Sequence, residues 1–122
     1  MTLVELYAAM GGDYEQAVKV LRIEKLIDKH IRKFPDNDIF NGLVEAFKTM
    51  DETRLFESSH AIKGVCANLG LTNIASIASD ICEEFRPGKS RTRSDDEIRS
   101  MVDEVMRLRN LAVECIHAYA AS

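Results

Sequence analysis

The 122-residue chain has no tryptophan, only two prolines and only three cysteines. Each shortage excludes something. With Pro35 and Pro87 alone, long stretches are free of the residue that breaks helices. The three cysteines, Cys66, Cys82 and Cys115, are odd in number, form no CxxC pair and fall at buried helical spacings. They read as free thiols packed as small hydrophobes, not as a disulfide framework. No apolar run approaches the ~20 residues of a membrane span. The N-terminal stretch carries Glu5 and no basic region, so a secretory signal is not expected and a cytoplasmic location is. Positive charge is also short. Sixteen Lys and Arg stand against 20 Asp and Glu, whereas a nucleic-acid binder usually carries a basic face.

What is present favours helix. Apolar residues make up 46% and charged residues 30%, a globular balance, and Ala, Leu, Ile, Glu, Lys and Arg dominate. The length suits one domain, residues 1–122, able to bury a core without disulfides or metals. Strand-like alternation, repeats and low-complexity tracts are absent.

Helix starts are legible. Thr2-Leu-Val-Glu5 and Asp13-Tyr-Glu-Gln16 read as capping boxes separated by Gly11-Gly12. A third helix is expected from Ile23 to Phe34, with Ile23, Leu26, Ile27 and Phe34 as its stripe, ending at Pro35. The turn Pro35-Asp36-Asn37-Asp38 offers cap oxygens to a fourth helix carrying Ile39, Phe40, Leu43, Val44, Phe47 and Met50. Asp51 caps a fifth, with the stripe Leu55, Ser59, Ile62, Cys66 and Leu69, closed by Gly70. Thr72 is expected to cap a sixth, through Ile74, Ile77, Ala78, Ile81 and Phe85, ending at Arg86-Pro87-Gly88. Ser94-Asp-Asp-Glu97 opens a long last helix running past Tyr119. Short links make successive helices antiparallel. The expected fold is all-α: an up-down four-helix bundle over about residues 37–121, with short helices in about 2–34 covering one end.

Helical geometry then separates the histidines. His60 lies roughly 130° from the centre of its stripe, outside the core. Lys63 and Gly64 are its neighbours one turn along, and Phe56 and Ala67 complete that face. A mid-helix glycine costs about 1 kcal/mol relative to alanine. Beside an exposed histidine, its missing side chain lets another molecule reach the ring. A lysine ammonium one turn away can hold phosphoryl charge, and neutral imidazole is a nucleophile. His30 falls between Ile27 and Phe34 and reads as a partly buried structural residue, and His117 as a solvated surface one.

The stretch His60-Ala-Ile-Lys63-Gly64-Val-Cys-Ala-Asn-Leu69-Gly70 resembles the signature of histidine-containing phosphotransfer (HPt) domains, H-x-x-K-G-x-x-x-x-[LI]-G, at all five diagnostic positions. A chance match is expected on the order of once in ten thousand chains of this length. The lead-in Asp51–Ser59 and the helical layout from about Ile23 to Ala120 look like the family's, and Thr2–Leu21 is the least diagnostic part. The resemblance implies a relay of phosphoryl groups between receiver-domain aspartates in a two-component phosphorelay, without kinase or ATPase activity. His60 would be the phospho-acceptor, Lys63 would stabilise the phosphate, and Gly64 would admit the receiver. Phe56 and Ala67 would line the docking surface. Receiver domains or a hybrid histidine kinase would be the partners, with no nucleic acid and no membrane. A monomer is expected, with no cofactor, and any magnesium would belong to the receiver. One departure stands out. Many members place a Gln near the histidine on the next helix, but the stretch from Thr72 to Phe85 has none, and Cys82 lies at about that place.

Other readings compete. A helical adaptor that binds receivers or kinases without phosphotransfer would not need His60 or Lys63, and both are present. Glu57-Ser-Ser-His60 and Glu114-Cys-Ile-His117 have the Glu-x-x-His spacing of di-iron bundles. However, both glutamates lie roughly 160–190° from their stripes, and such ligands must project inward. Gly88-Lys89-Ser90 ends like a P-loop, but Glu83 stands where the first glycine is required. The basic loop from Arg86 to Arg93 reads as a solvated connection or as a steering patch for acidic receiver surfaces.

Overall fold

Capping chemistry sets most of the helix boundaries. The computed structural model describes residues 1–122 and contains seven α-helices and no strand. These are α1 (Leu3–Met10), α2 (Tyr14–Leu21), α3 (Glu24–Lys33), α4 (Ile39–Lys48), α5 (Glu52–Asn68), α6 (Thr72–Glu84) and α7 (Asp95–Ala121). Thr2 and Ser94 form complete capping boxes with Glu5 and Glu97. Asp51 accepts from the Arg54 N–H at 3.1 Å. Asp13 accepts from the Gln16 N–H at 3.1 Å without a return bond, so that box is only half formed. The expected Thr72 cap is displaced by one residue. Thr72 is already helical, and Leu71 occupies the cap position without a side-chain bond. Asn37, not Asp38, caps α4 by accepting from the Ile39 N–H at 3.1 Å.

Helices α4 to α7 form the bundle. α4 packs on α5, α5 on α6, α6 on α7 and α7 back on α4, so the ring closes. The end contacts confirm the antiparallel order. At one end, the Tyr7 hydroxyl donates to the Leu69 carbonyl at 2.6 Å, and the Asn73 amide to the Met10 carbonyl at 3.1 Å. The end of α5, the start of α6 and α1 therefore meet there. At the other end, Arg91 pairs with Asp95 at the start of α7 and reaches Glu52 at the start of α5 at 3.9 Å.

α7 spans about 40 Å at 1.5 Å per residue, and its C-terminal part is braced by the N-terminal helices. α1 and α3 both pack on it. Tyr119 donates to Asp28 beneath the Arg32 guanidinium, which lies 5.1 Å from the Tyr119 ring. One continuous hydrophobic cluster runs from Leu3 to Ile116. α3 joins it by a narrower edge than its composition suggests. Ile27, Ile31 and Phe34 are buried, but Ile23 and Leu26 are 54% and 38% exposed. His30, expected on the stripe, is also exposed. It sits 100° from Ile31, and the buried line of this helix runs through Ile31.

Gly70 joins the two layers. Its φ of +75° lies in the left-handed region that ends helices. Its carbonyl accepts from the Asp13 N–H at 2.7 Å. A Cβ here would meet the Asp13 carbonyl oxygen and Ala17. Gly70→Ala should therefore destabilise the protein by more than the ~1–2 kcal/mol of a left-handed alanine alone, as read from urea melts.

Glu84 organises the opposite end. It is buried, at 3% exposure. Its carboxylate accepts from the Arg93 N–H at 2.6 Å, the Thr92 N–H and the Thr92 hydroxyl, and Lys89 lies 3.8 Å away. Burial pushes this carboxyl up, but the backbone N–H groups of Arg93 and Thr92, with the hydroxyl and Lys89, outweigh it and hold it below the usual carboxylate range. A depressed carboxyl stabilises the fold above its unfolded pKa and loses that contribution as pH falls through its folded value. Glu84→Gln should cost about 1–3 kcal/mol at neutral pH. The gap to wild type in denaturant melts should close as the solution is acidified below the ordinary glutamate range.

Candidate functional site

The buried line of α5 is Leu55, Ser59, Ile62, Cys66 and Leu69, as its periodicity requires. Ser59 enters the core because its hydroxyl turns back to the Leu55 carbonyl at 2.6 Å, leaving no unpaired polar group. Burial pushes the Cys66 thiol up to about 12, in keeping with an inert packing residue. With this line turned inward, His60 is exposed near the middle of the helix.

The ring of His60 is held on two sides. Phe56, one turn earlier, stacks on it with centroids 5.9 Å apart and planes 17° from parallel. Across the helix pair, the Sγ of Cys82 on α6 lies 3.9 Å from Nδ1. Cys82 is fully buried, so this edge of the ring faces the protein. Antiparallel pairing of α5 with α6 creates the contact, and helical periodicity alone could not reveal it. The resemblance to HPt domains, many of which place a Gln near the histidine on the next helix, did point to Cys82.

Lys63 is half-buried one turn beyond His60 and forms no ion pair. Glu83, whose carboxyl feels Lys63, is engaged by Arg86, whose Nε donates to it at 3.0 Å. That hydrogen bond is the main cause holding the Glu83 carboxyl below its usual range. Gly64 is exposed, and a Cβ built on it would have nothing within 4 Å. Ala67, half-buried, continues the face.

The other candidates lie elsewhere. His117, Glu57 and Glu114 are exposed, so the two glutamates point away from the bundle interior that a di-iron centre needs. No group of three or more His, Cys, Asp or Glu side chains is placed to hold a metal ion. His30 lines an open cleft with Lys33, Phe34 and Leu21 on one side and Val65 and Asn68 of α5 on the other. This cleft brings together residues far apart in the chain, and no motif announced it. Of the expected free thiols, Cys66 and Cys82 are buried and Cys115 half-buried.

A family model of the Hpt domain matches residues 37–111, more than half of the chain. The chain belongs to the Hpt domain family. The match covers α4, α5, α6 and most of α7, and contains the whole stretch from His60 to Gly70. Hpt domains carry out histidine phosphotransfer in phosphorelays and interact with receiver domains and histidine kinases. No curated protein and no solved structure gives a significant match. No helix of this Hpt protein is long and apolar enough to cross a membrane.

The two glycines of the signature should respond in opposite ways. Gly64 has helical backbone and open space, so Gly64→Ala should raise stability by up to ~1 kcal/mol in thermal or urea melts, the reverse of Gly70→Ala.

Proposed function

We propose that His60 accepts a phosphoryl group from the aspartyl phosphate of one receiver domain and passes it to the aspartate of another. The observation that carries this reading is one exposed helix face: an accessible imidazole, an unpaired lysine one turn on, and a glycine with empty space where a side chain would stand. In the forward step the Nε2 lone pair attacks phosphorus. The bond from phosphorus to the carboxyl oxygen breaks, and its electron pair leaves on the aspartate. Lys63 offsets charge on the phosphoryl oxygens, as a point cation one helical turn from His60. Gly64 lets the receiver approach, and Phe56 and Ala67 line the surface on which it docks. Any magnesium would be the receiver's. The protein itself would bind no nucleotide and hydrolyse none.

The direct test incubates the protein with a labelled, phosphorylated receiver domain. Wild type should take up label that is stable in base and lost in acid, as a phosphoramidate is, and His60→Gln should take up none. Label on the mutant would refute the assignment. Binding of receivers without any transfer would favour the adaptor reading. Gly64→Gln should keep its fold yet slow transfer by about tenfold or more, equivalent to ~1.4 kcal/mol of barrier. An unchanged rate would remove the access role from Gly64.

A further inference from the structure

Resting on the reading of His60 as the phospho-acceptor, we infer that Cys82 is a positioning residue for it. The Cys82 sulfur accepts the His60 Nδ1–H and so presents Nε2, as a lone pair, to the incoming phosphoryl group.

The two ring nitrogens of His60 cannot play the same role. In neutral imidazole one nitrogen carries the proton and the other a lone pair, and the partner of one fixes the state of the other. Phe56 stacks on the His60 ring and limits its rotation. Nδ1 faces the buried Cys82 Sγ at 3.9 Å, and no other side chain bonds to the ring. The remaining nitrogen, Nε2, is on the outer edge of an exposed residue. A thiol can donate to Nδ1 or accept from it, and the two arrangements have opposite consequences. If S–H donates, the neutral ring must carry its proton on Nε2, and that nitrogen has no lone pair to attack with. If Sγ accepts Nδ1–H, Nε2 is the nucleophile.

The second arrangement also gains during the reaction. As the Nε2–P bond forms, the ring shares positive charge with Nδ1–H, which becomes a stronger donor to sulfur. The contact is therefore stronger in the transition state than before it, as acceleration requires. Its length and the weak acceptor character of sulfur make this a modest hold. Cys82 touches neither phosphorus nor receiver, so its effect is exerted through the orientation and tautomer of His60 alone.

The test reads the ring directly. The full chain, labelled with 15N in histidine, is compared as wild type, Cys82→Ala and Cys82→Val by two-dimensional 15N–1H spectra of the imidazoles. Cys82→Val removes the acceptor but refills the space, so one informative variant remains if the cavity left by Cys82→Ala impairs folding. Wild type should show His60 enriched in the Nδ1–H tautomer, with both variants moving toward the Nε2–H form that a free histidine prefers. Phosphoryl uptake should fall by roughly two- to tenfold, the worth of one modest hydrogen bond. The His30 and His117 signals should stay where they are.

A His60 tautomer ratio that is the same in wild type and both variants would overturn the proposal. So would a wild-type ring already in the Nε2–H form. The spectra need no phosphotransfer, so the two readings fail separately. A Cys82-dependent tautomer in a protein that takes no label supports the positioning contact and removes the relay reading. Normal labelling of His60 with a tautomer indifferent to Cys82 does the reverse.

Discussion

Leu55, Ser59, Ile62, Cys66 and Leu69 form one buried line along α5, and a helix buried along one line has a single rotational setting. Everything at the site follows from that setting. It turns His60 to solvent, aligns Lys63, Gly64 and Ala67 with it, and brings its Nδ1 edge over α6. Burying each side chain of this line contributes on the order of 1.5–3 kcal/mol for the large apolar ones. Rotating α5 by even one residue would forfeit several of these contributions and bury the His60 ring.

The N-terminal helices reinforce this setting from the end of α5. Tyr7 donates to the last turn through the Leu69 carbonyl, and the Asp13 N–H binds the carbonyl of Gly70. Gly70 thus closes α5 and receives α2 at one point. Gly64, six residues earlier, has neither a special backbone nor a neighbour to avoid. Of the two glycines of one signature, the fold therefore demands Gly70 and places no demand on Gly64.

Much of this was legible in the residues. The stripes of α4 to α7 and the caps at Thr2, Asp51 and Ser94 depend only on neighbours within one helix, and they appear where the spacing put them. The face of α5 was readable for the same reason. Errors cluster where tertiary contacts decide. In and just before α3, the apolar Ile23 and Leu26 stay exposed because this helix meets the core along a narrow edge, and His30 is exposed with them. The capping role of Glu84 for the loop after α6 is set by backbone N–H groups eight and nine residues away. The contact between Cys82 and His60 depends on the register of two antiparallel helices, which no single-helix pattern contains.

The central claim is that His60 carries the phosphoryl group on its outward nitrogen. Its most direct measurement is NMR of the phosphorylated protein labelled with 15N in histidine, in which the bonded nitrogen shows one-bond coupling to 31P. The account predicts a single coupled site, the Nε2 of His60, with Nδ1 still facing Cys82. Coupling at Nδ1, at His30 or at His117, or phosphate found on another residue type, would contradict it.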